Sequence, residues 1–448
     1  NEDYVAFREF SKTISQSESS FYLNDDLLYK GFFGDNIELA KINDLNSSDA
    51  IVVWAEDLKE KLPVLYLRIR QAVKNGVKLV VFGHTNETLS DIADVFYGKD
   101  MVSENFEILK DLSKMKEINN LVVGKNITAI LGKSTPYQAD ESITKLFEFL
   151  NSNANSKVLN AYSKGNTYGA FQTLENLKGL NDFVNDISKD NTDLLFIVGA
   201  DPIGRSVYSN QIKSIIKSID TVVTLDNFNH ETSELSDYVV PISSTLGEKE
   251  GTFTNIEFRT SRIEKLVPSP GQTVSDWEFI TSLMNFAGLK AEANSLEDLN
   301  RKAYENLDSS LSPVFDNLDK PSNLDGMINI SKPKISTSEN KLNKTMFFTG
   351  EKLYGDSATE RHSDSISMLG SKKFIEVSES VVEKYNLTSG SCTLTQDELE
   401  VTVSYEVNNN FPNDLVYIPT NRRELNKFDF SREILIIPTQ VKEALNVN

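Results

Sequence analysis

Cysteine and histidine are scarce in this sequence of 448 residues. It has one cysteine, Cys392, and three histidines, His84, His230 and His362. A single thiol excludes an intrachain disulfide and cannot supply the four thiolates of a typical iron–sulfur cluster. The histidines lie far apart and in no spacing typical of a zinc site, so each is predicted to be a surface or capping residue.

Long apolar runs and basic clusters are also missing. No stretch reaches the roughly 18 apolar residues of a membrane helix, so no direct membrane insertion is expected. The 46 Lys and Arg against 66 Asp and Glu give a net charge of −20, and the basic residues are scattered among acids. Such a surface disfavours nucleic-acid binding. The chain starts without a signal-peptide pattern and without methionine, so we expect it to be part of something larger.

Apolar strands alternate with amphipathic helices over the first 300 or so residues. One strand at 49–57 leads to a helix that begins near Pro63 and then to a strand at 78–83. The pattern returns at 126–150 and at 193–226. Because fully apolar strands joined by helices form parallel sheets covered on both faces, the pattern predicts tandem Rossmann-like α/β units.

We expect the chain to have five parts. An opening helix is expected to pack with the second of two α/β units, a polar, proline-containing linker follows these units, and short strand-like runs then predict a small β-barrel-like domain. The predicted parts are the opening helix at 1–20, the first unit at 21–165, the second unit at 166–308, the linker at 309–344 and the β-rich domain at 345–448. Cys392 is then a small strand residue and not a reactive thiol.

One candidate ligand site follows the strand at 193–198. Ligands of α/β sheets bind at the carboxyl ends of strands, beside helix N-termini. A phosphate could lie against Gly199, and Asp201 could accept a hydrogen bond from a ribose or a base edge. Any strand-to-helix turn favours Gly, Asp and Pro, so a structural turn is the favoured interpretation. The sequence has no Gly-x-Gly-x-x-Gly run and no Walker loop, which counts against classical nicotinamide or nucleoside-triphosphate binding.

A second candidate is the polar stretch 248–259, which follows a short strand, predicted to be buried, at 236–241. Its residue types are typical of a loop whose side chains satisfy its own backbone. Glu248 and Glu250 could transfer protons, but exposed loop glutamates usually do not. No histidine accompanies a candidate serine or cysteine nucleophile, so no catalytic residue is predicted.

The order of these motifs resembles the molybdopterin oxidoreductase family over most of residues 1–290. The resemblance is carried by Asp201-Pro202, Asp237…Pro241, Glu248-x-Glu250-Gly251-Thr-x-Thr-Asn255-x-Glu257-x-Arg259 and Asp276-Trp277-Glu278. More faintly, 353–390 resembles the dinucleotide-binding barrel of that family. Within the family the sequence is most similar to the large iron–sulfur subunit of bacterial NADH:quinone oxidoreductase, complex I.

The resemblance also shows where this sequence departs from active family members. These carry a molybdenum-binding Cys, selenocysteine, Ser or Asp shortly after the opening helix, whereas 19–29 contains no cysteine, and Asp25 or Asp26 is a poor substitute. The glycine expected after Glu257 is replaced by Phe258, which would fill a space that a cofactor needs. Molybdopterin is therefore expected to be unlikely, with no metal ligand in this chain. The residues of an at best vestigial cofactor site would be Gly199, Asp201, Glu248, Gly251 and Asn255.

The function implied by the resemblance is a non-catalytic scaffold domain in the peripheral arm of complex I, supporting electron transfer from NADH to quinone. Such a domain would contact other peripheral-arm subunits at the cytoplasmic face of the bacterial inner membrane. The iron–sulfur clusters would lie in a Cys-rich N-terminal region that this chain lacks. One alternative is an N-terminally truncated, molybdopterin-dependent, formate dehydrogenase-like oxidoreductase. Another is a free-standing module that keeps a nucleotide at 199–201.

Overall fold

The structure is a computed structural model, and it describes most of the chain. The described residues are 1–14, 19–23, 38–83, 87–98, 116–132, 140–174, 177–187, 192–304, 345–355, 358–370, 374–422, 424–430 and 432–439. The predicted linker at 309–344 lies outside them.

The first α/β unit is built on a fully parallel sheet, as the apolar strands predicted. Its strands and the short strand before them are β1 (Phe21–Tyr22), β2 (Glu38–Leu39), β3 (Ala50–Trp54), β4 (Lys78–Phe82), β5 (Val95–Tyr97), β6 (Asn126–Leu131) and β7 (Asn155–Asn160). The sheet order is β2-β7-β6-β3-β4-β5. The helices up to this point are α1 (Glu2–Ile14), α2 (Leu58–Lys61), α3 (Pro63–Lys74), α4 (Glu87–Ser90), α5 (Lys116–Val122) and α6 (Asp140–Asn153).

Helices cover both faces of this sheet, and all five residues of β3 are therefore buried. Val52 and Trp54 point to the side of α5 and α6. Ile51 and Val53 point to the opposite side, where α3 packs. The alternation of side chains along a strand thus divides one apolar run between two cores.

The second α/β unit has a smaller parallel sheet and a separate hairpin. Its strands are β8 (Leu177–Lys178), β9 (Leu194–Val198), β10 (Thr221–Asp226), β11 (Tyr238–Pro241), β12 (Gly251–Thr254) and β13 (Thr260–Ile263). The helices are α7 (Thr167–Thr173), α8 (Leu180–Ile187), α9 (Pro202–Arg205), α10 (Ser209–Ile216), α11 (Asp276–Phe286) and α12 (Leu296–Ala303). The sheet order is β11-β10-β9, β12 and β13 form an antiparallel pair, and β8 pairs with β1.

Two expectations for this unit were wrong. β11 is largely exposed and not buried, with 64% of Tyr238 accessible, because β11 lies at the edge of its sheet. The polar stretch 248–259 is not simply a loop, since it contains β12 and the turn that leads into β13. Its Thr-rich strand lacks the apolar alternation by which strands are recognised.

The C-terminal part is a six-stranded mixed sheet. Its strands are β14 (Met346–Gly350), β15 (Phe374–Val377), β16 (Ser391–Gln396), β17 (Leu399–Val407), β18 (Leu415–Pro419) and β19 (Leu435–Pro438), and its helices are α13 (Ala358–Arg361), α14 (Asp364–Gly370) and α15 (Glu379–Lys384). The order is β14-β18-β15-β17-β16-β19. Cys392 is fully buried in β16, which confirms the prediction of a strand residue, and burial raises the pKa of its thiol to about 11.

The α1 helix packs on the second unit through one apolar face. Val5, Ala6 and Phe10 join the core that α11 and α12 form. The Phe10 ring also makes an edge-to-face contact with Phe196 of β9, with 5.4 Å between centroids. In the part of the chain that the structure describes, we find no helix with both the length and the apolar character needed to cross a bilayer.

Candidate functional site

Gly199 and Asp201, the first candidate ligand site, lie directly after β9. Gly199 has a φ of +57°, a conformation that favours glycine. The Asp201 carboxylate accepts hydrogen bonds from Gly204 N at 3.1 Å and from Thr232 Oγ1 at 2.7 Å. It is therefore the cap of α9 and a tie to the 230–232 loop, which is the structural role that the sequence favoured.

His230 is the neighbour of Asp201 that sequence reasoning missed. It is 4% exposed, so the prediction of a surface residue was wrong. Its Nδ1 lies 3.3 Å from Asp201 Oδ1, and its Nε2 lies 3.2 Å from Asp226 Oδ2 at the end of β10. One contact of His230 does fit the alternative prediction of a capping residue. Its Nδ1 lies 3.2 Å from the backbone N of Ser233, at the start of a short 3₁₀ helix.

The two carboxylates favour the charged imidazole of His230. Burial alone would lower its pKa, but the nearby carboxylates of Asp201 and Asp226 outweigh burial and raise the pKa to about 9. Burial likewise opposes ionisation of Asp201, yet the contacts with His230 and Thr232 lower its pKa to about 2. A protonated Nδ1 donates to Asp201 and no longer accepts from Ser233. The carboxyl ends of β9 and β10 are thus joined by a buried charged group.

Glu248 and Asn255 have roles inside their own segment, whereas Gly251 lies where this segment meets α1. Glu248 Oε2 accepts from Ser244 N at 2.8 Å. A Cβ on Gly251 would come within 2.9 Å of a carboxylate oxygen of Glu2, so the hairpin needs glycine there to approach α1. Asn255 Oδ1 accepts from the backbone N of residues 257 and 259, at 2.9 and 3.0 Å, and closes the turn between β12 and β13.

Phe258 ends that turn in an unusual conformation for a bulky residue. Its φ is +61°, in the left-handed region, and it is 4% exposed. The ring packs edge-to-face on Tyr168, with 4.7 Å between centroids, within the core of the first unit. Next to it, Glu257 Oε1 accepts from Ile42 N at 2.7 Å. A buried phenylalanine thus stands at the position where the family resemblance implies a glycine.

Lys249 is a second buried ionisable residue that sequence reasoning did not select. Its Nζ lies 2.9 Å from Asp3 Oδ2 on α1 and also contacts Asp276 on α11. Burial would lower the pKa of Lys249, but these two carboxylates hold it above its ordinary value. A lysine between Glu248 and Glu250 reads from sequence as one of several loop charges, and only its helix partners distinguish it.

The five candidate residues therefore fall into two groups. Gly199 and Asp201 belong to the end of β9, whereas Glu248, Gly251 and Asn255 belong to the β12–β13 segment. Across the described residues, no group of three or more His, Cys, Asp or Glu side chains is placed to hold a metal ion. A metal-binding residue was sought in the stretch 19–29, and of this stretch 24–29, including Asp25 and Asp26, lies outside the described residues.

Comparison with known proteins gives a family match over most of the chain. The model of the molybdopterin oxidoreductase family matches residues 2–286. A subunit of the NADH-quinone oxidoreductase of Rhizobium meliloti is 25% identical over 247 residues, which are 53% of this chain and 28% of that protein. F420-dependent formate dehydrogenase 2 subunit alpha of Methanococcus maripaludis is 34% identical over 135 residues, which are 28% of this chain and 20% of that protein.

Among solved structures, acetylene hydratase from Pelobacter acetylenicus aligns with a TM-score of 0.46 and 11% identity. The alignment covers 93% of this chain and 73% of the hydratase. The two curated relatives above are matched over less than a third of their own length.

Proposed function

We infer that this chain, which belongs to the molybdopterin oxidoreductase family, is a non-catalytic scaffold domain of an NADH:quinone oxidoreductase. The similarity to the Rhizobium meliloti oxidoreductase subunit extends over 53% of this chain, about twice the 28% covered by the formate dehydrogenase alpha subunit. We expect electrons to pass from NADH to quinone through other parts of the complex. This domain would support their arrangement.

The observation that carries the proposal is the buried Phe258. The family as a whole uses molybdopterin, so the absence of this cofactor has to be argued from the residues of this chain. The Phe258 side chain lies between the hairpin turn and the core of the first unit, and it contacts Tyr168 of α7 there. It does so in a backbone conformation that costs a non-glycine residue about 1–2 kcal/mol. A site that kept its cofactor would favour glycine over this strain.

The other candidate residues support the same conclusion. Asp201, Glu248 and Asn255 use their side-chain oxygens to accept hydrogen bonds from their own chain. Polar groups that are already satisfied gain little from a ligand, because binding replaces existing bonds. We therefore propose that the site at 199–201 and 248–255 is vestigial. We also propose that neither molybdopterin nor a nucleotide is bound there.

Partners and location follow from the same proposal. The domain would pack against other peripheral-arm subunits at the cytoplasmic face of a bacterial inner membrane. The iron–sulfur clusters of the complex would be bound by a Cys-rich region on the N-terminal side of this domain.

Co-purification tests whether the domain belongs to such a complex. The full-length protein, tagged in its native host, should enrich an NADH-oxidising complex from solubilised membranes, compared with an untagged strain. Recovery of the tagged protein without NADH oxidation would contradict the proposal.

A formate dehydrogenase-like enzyme is the second candidate. It is favoured by the higher local identity, 34%, to the formate dehydrogenase alpha subunit. This alternative predicts that the full-length protein reduces a dye when formate is added, and that tungstate in the growth medium abolishes the activity. The scaffold proposal predicts no formate-dependent reduction with either medium.

A further inference from the structure

The helix α3 carries apolar side chains on both of its faces. On the inner face, Leu65, Ile69 and Ala72 are buried in the core of the first unit. On the outer face, Val64 and Leu67 are 64% and 61% exposed. These two residues are three positions apart, so their side chains are neighbours on the helix surface. A surface helix normally turns polar residues to solvent, and α3 instead has a small apolar centre there.

The outer face of α3 is also basic. The helix contains Arg68, Arg70 and Lys74, all exposed, and no Asp or Glu. Around the helix axis, Leu67 lies between Arg68 and Arg70, and Lys74 lies two turns further along the same side as Leu67. We call Val64, Leu67, Arg68, Arg70 and Lys74 the α3 face. It is basic although the chain as a whole has a net charge of −20.

The three cations of the α3 face are not neutralised by carboxylates among the described residues. Arg70 Nη1 donates to Tyr66 Oη at 2.9 Å, and its guanidinium lies 5.6 Å from the centre of the Tyr66 ring. This contact orients Arg70 and leaves its charge in place. Within the described part of the chain, Arg68 and Lys74 form no ion pair. The positive charge of the face is therefore available to a partner.

The acids on the elements that pack against α3 have other partners. These elements include α2 and the 3₁₀ helix Ile42–Asn46. Glu60 Oε2 of α2 accepts from the backbone N of Leu353 at 2.8 Å. Asp44 Oδ1 of the 3₁₀ helix lies 3.5 Å from Lys157 Nζ. Neither carboxylate pairs with a cation of the α3 face.

The charge and residue types of the α3 face favour an acidic protein surface as its partner. Basic helices with apolar residues also bind anionic membranes, but they usually insert Trp, Phe or several Leu side chains. The one aromatic residue of α3, Tyr66, is buried. A net charge of −20 opposes both the approach to an anionic membrane and the association of two copies of this chain.

We propose that the α3 face docks onto a neighbouring subunit, on an acidic surface with an apolar recess at its centre. The proposal rests on the proposed function, because the partner is a subunit of the NADH-oxidising complex. Val64 and Leu67 enter the recess, and Arg68 and Lys74 pair with carboxylates around it. An apolar centre with a charged rim that contains arginine is typical of protein–protein interfaces.

Charge reversal in the full-length tagged protein tests the proposal. Arg68→Glu combined with Lys74→Glu should lower the NADH oxidation recovered per tagged protein at least about tenfold, because like charges replace opposite charges at two contacts. Lys213→Glu combined with Lys217→Glu, at exposed positions on and just after α10, makes the same change in net charge and should leave recovery unchanged.

Leu67→Ala tests the apolar centre separately. It should also lower recovery of NADH oxidation, because the side chain no longer fills the recess. Its temperature of unfolding should equal that of the unmodified protein, because Leu67 is exposed in this chain. Full recovery with Leu67→Ala would contradict an apolar contact at this position.

The unmodified protein separates failure of this proposal from failure of the proposed function. If the unmodified protein recovers no NADH oxidation, the proposed function fails and the docking proposal fails with it. If the unmodified protein and the α3 charge-reversal variant recover it equally, only the docking proposal fails. Equal loss in the α3 and α10 variants would show a general effect of charge and would also overturn the docking proposal.

Two further measurements test the other possible occupants of the α3 face. One is sedimentation of the unmodified protein with phosphatidylglycerol vesicles, and the other is its mass by light scattering. We expect no vesicle binding and no dimer. Vesicle binding or a dimer that Arg68→Glu with Lys74→Glu abolishes would assign the face to a membrane or to a second copy, and would overturn the proposal.

Discussion

Two effects on stability oppose each other at Phe258, namely burial of its ring and strain in its backbone. Burial of its ring in the core of the first unit stabilises the fold, whereas a φ of +61° destabilises it relative to glycine. For the turn to form in this conformation, the stabilisation from ring burial must exceed the cost of the backbone strain. The family resemblance identified this position from the sequence, but neither the left-handed backbone nor the Tyr168 contact could be read from it, since both depend on the Asn255 turn.

Substitutions at Phe258 separate the effect of ring burial from that of backbone strain. We expect Phe258→Ala to lower the free energy of unfolding by about 3–5 kcal/mol, as for other buried phenylalanines. Phe258→Gly removes the same ring but relieves the backbone, so it should be about 1 kcal/mol more stable than Phe258→Ala. Urea unfolding of both variants measures the difference. An alanine variant as stable as the glycine variant would show that the backbone is not strained.

His230 should make stability depend on pH in the alkaline range. Its pKa is raised from 6.5 to about 9, so its stabilising effect is complete below pH 6.5 and is lost as pH rises through 9. The free energy of unfolding should therefore fall by about 2–3 kcal/mol over this interval. His230→Gln should flatten this part of the pH profile. Parallel profiles for both proteins would contradict the assignment of a charged His230.

Asp201 was selected from the sequence as a candidate site residue, but His230 beside it was not. Asp201 is recognisable because a Gly-Ala-Asp-Pro turn after an apolar strand is a local signal. His230 is 29 residues further on, and its partners meet only when β9 and β10 pair in parallel. The one local signal was the Asp226–His230 spacing of four residues directly after a predicted strand.

At the scale of elements, the β12 segment is attached to two helices through charge. Lys249 precedes β12, and its partners Asp3 and Asp276 belong to α1 and α11. Asp276 is 2% exposed, so it depends on the lysine for compensation of its charge. The attachment of α1 is thus partly apolar, through Phe10, and partly ionic.

Removal of the Lys249 charge should be costly. We expect Lys249→Met to lower the free energy of unfolding by about 3–5 kcal/mol, because two carboxylates lose their buried partner. Lys265→Met, at an exposed position, is the control and should change it by less than about 0.5 kcal/mol. Adding Asp276→Asn to Lys249→Met should recover part of the loss. Equal stability of the two methionine variants would show that the ionic contact contributes nothing.

Elements whose sequence is apolar were predicted well, and those built from polar residues were not. β3, β6 and α3 follow from apolar runs and from Pro63 at the first turn of a helix. β12 was missed because Phe253 is the one apolar residue of its four. β11 was placed correctly but taken as buried, since an apolar strand does not reveal whether it has neighbours on both sides.

At the scale of the whole molecule, the predicted fold class of tandem α/β units with a C-terminal β-rich part is confirmed. The described residues include the six-stranded and the three-stranded parallel sheets of the two units and the six-stranded mixed sheet of the C-terminal part. The contacts that join these parts were not predictable. The ion pairs of Arg205 with Glu351 and of Arg361 with Glu231 connect residues separated by 130 or more positions. Charge patterns along a sequence carry no signal over such separations.

The most direct test of the central claim is the molybdenum and pterin content of the full-length protein, purified from its native host. A molybdenum enzyme from the same cells serves as the control that the host makes the cofactor. We predict that the protein contains neither molybdenum nor pterin in stoichiometric amount, because Phe258 replaces the glycine that the family resemblance implies and the polar candidates bond within the chain. Stoichiometric molybdenum together with a pterin would contradict it.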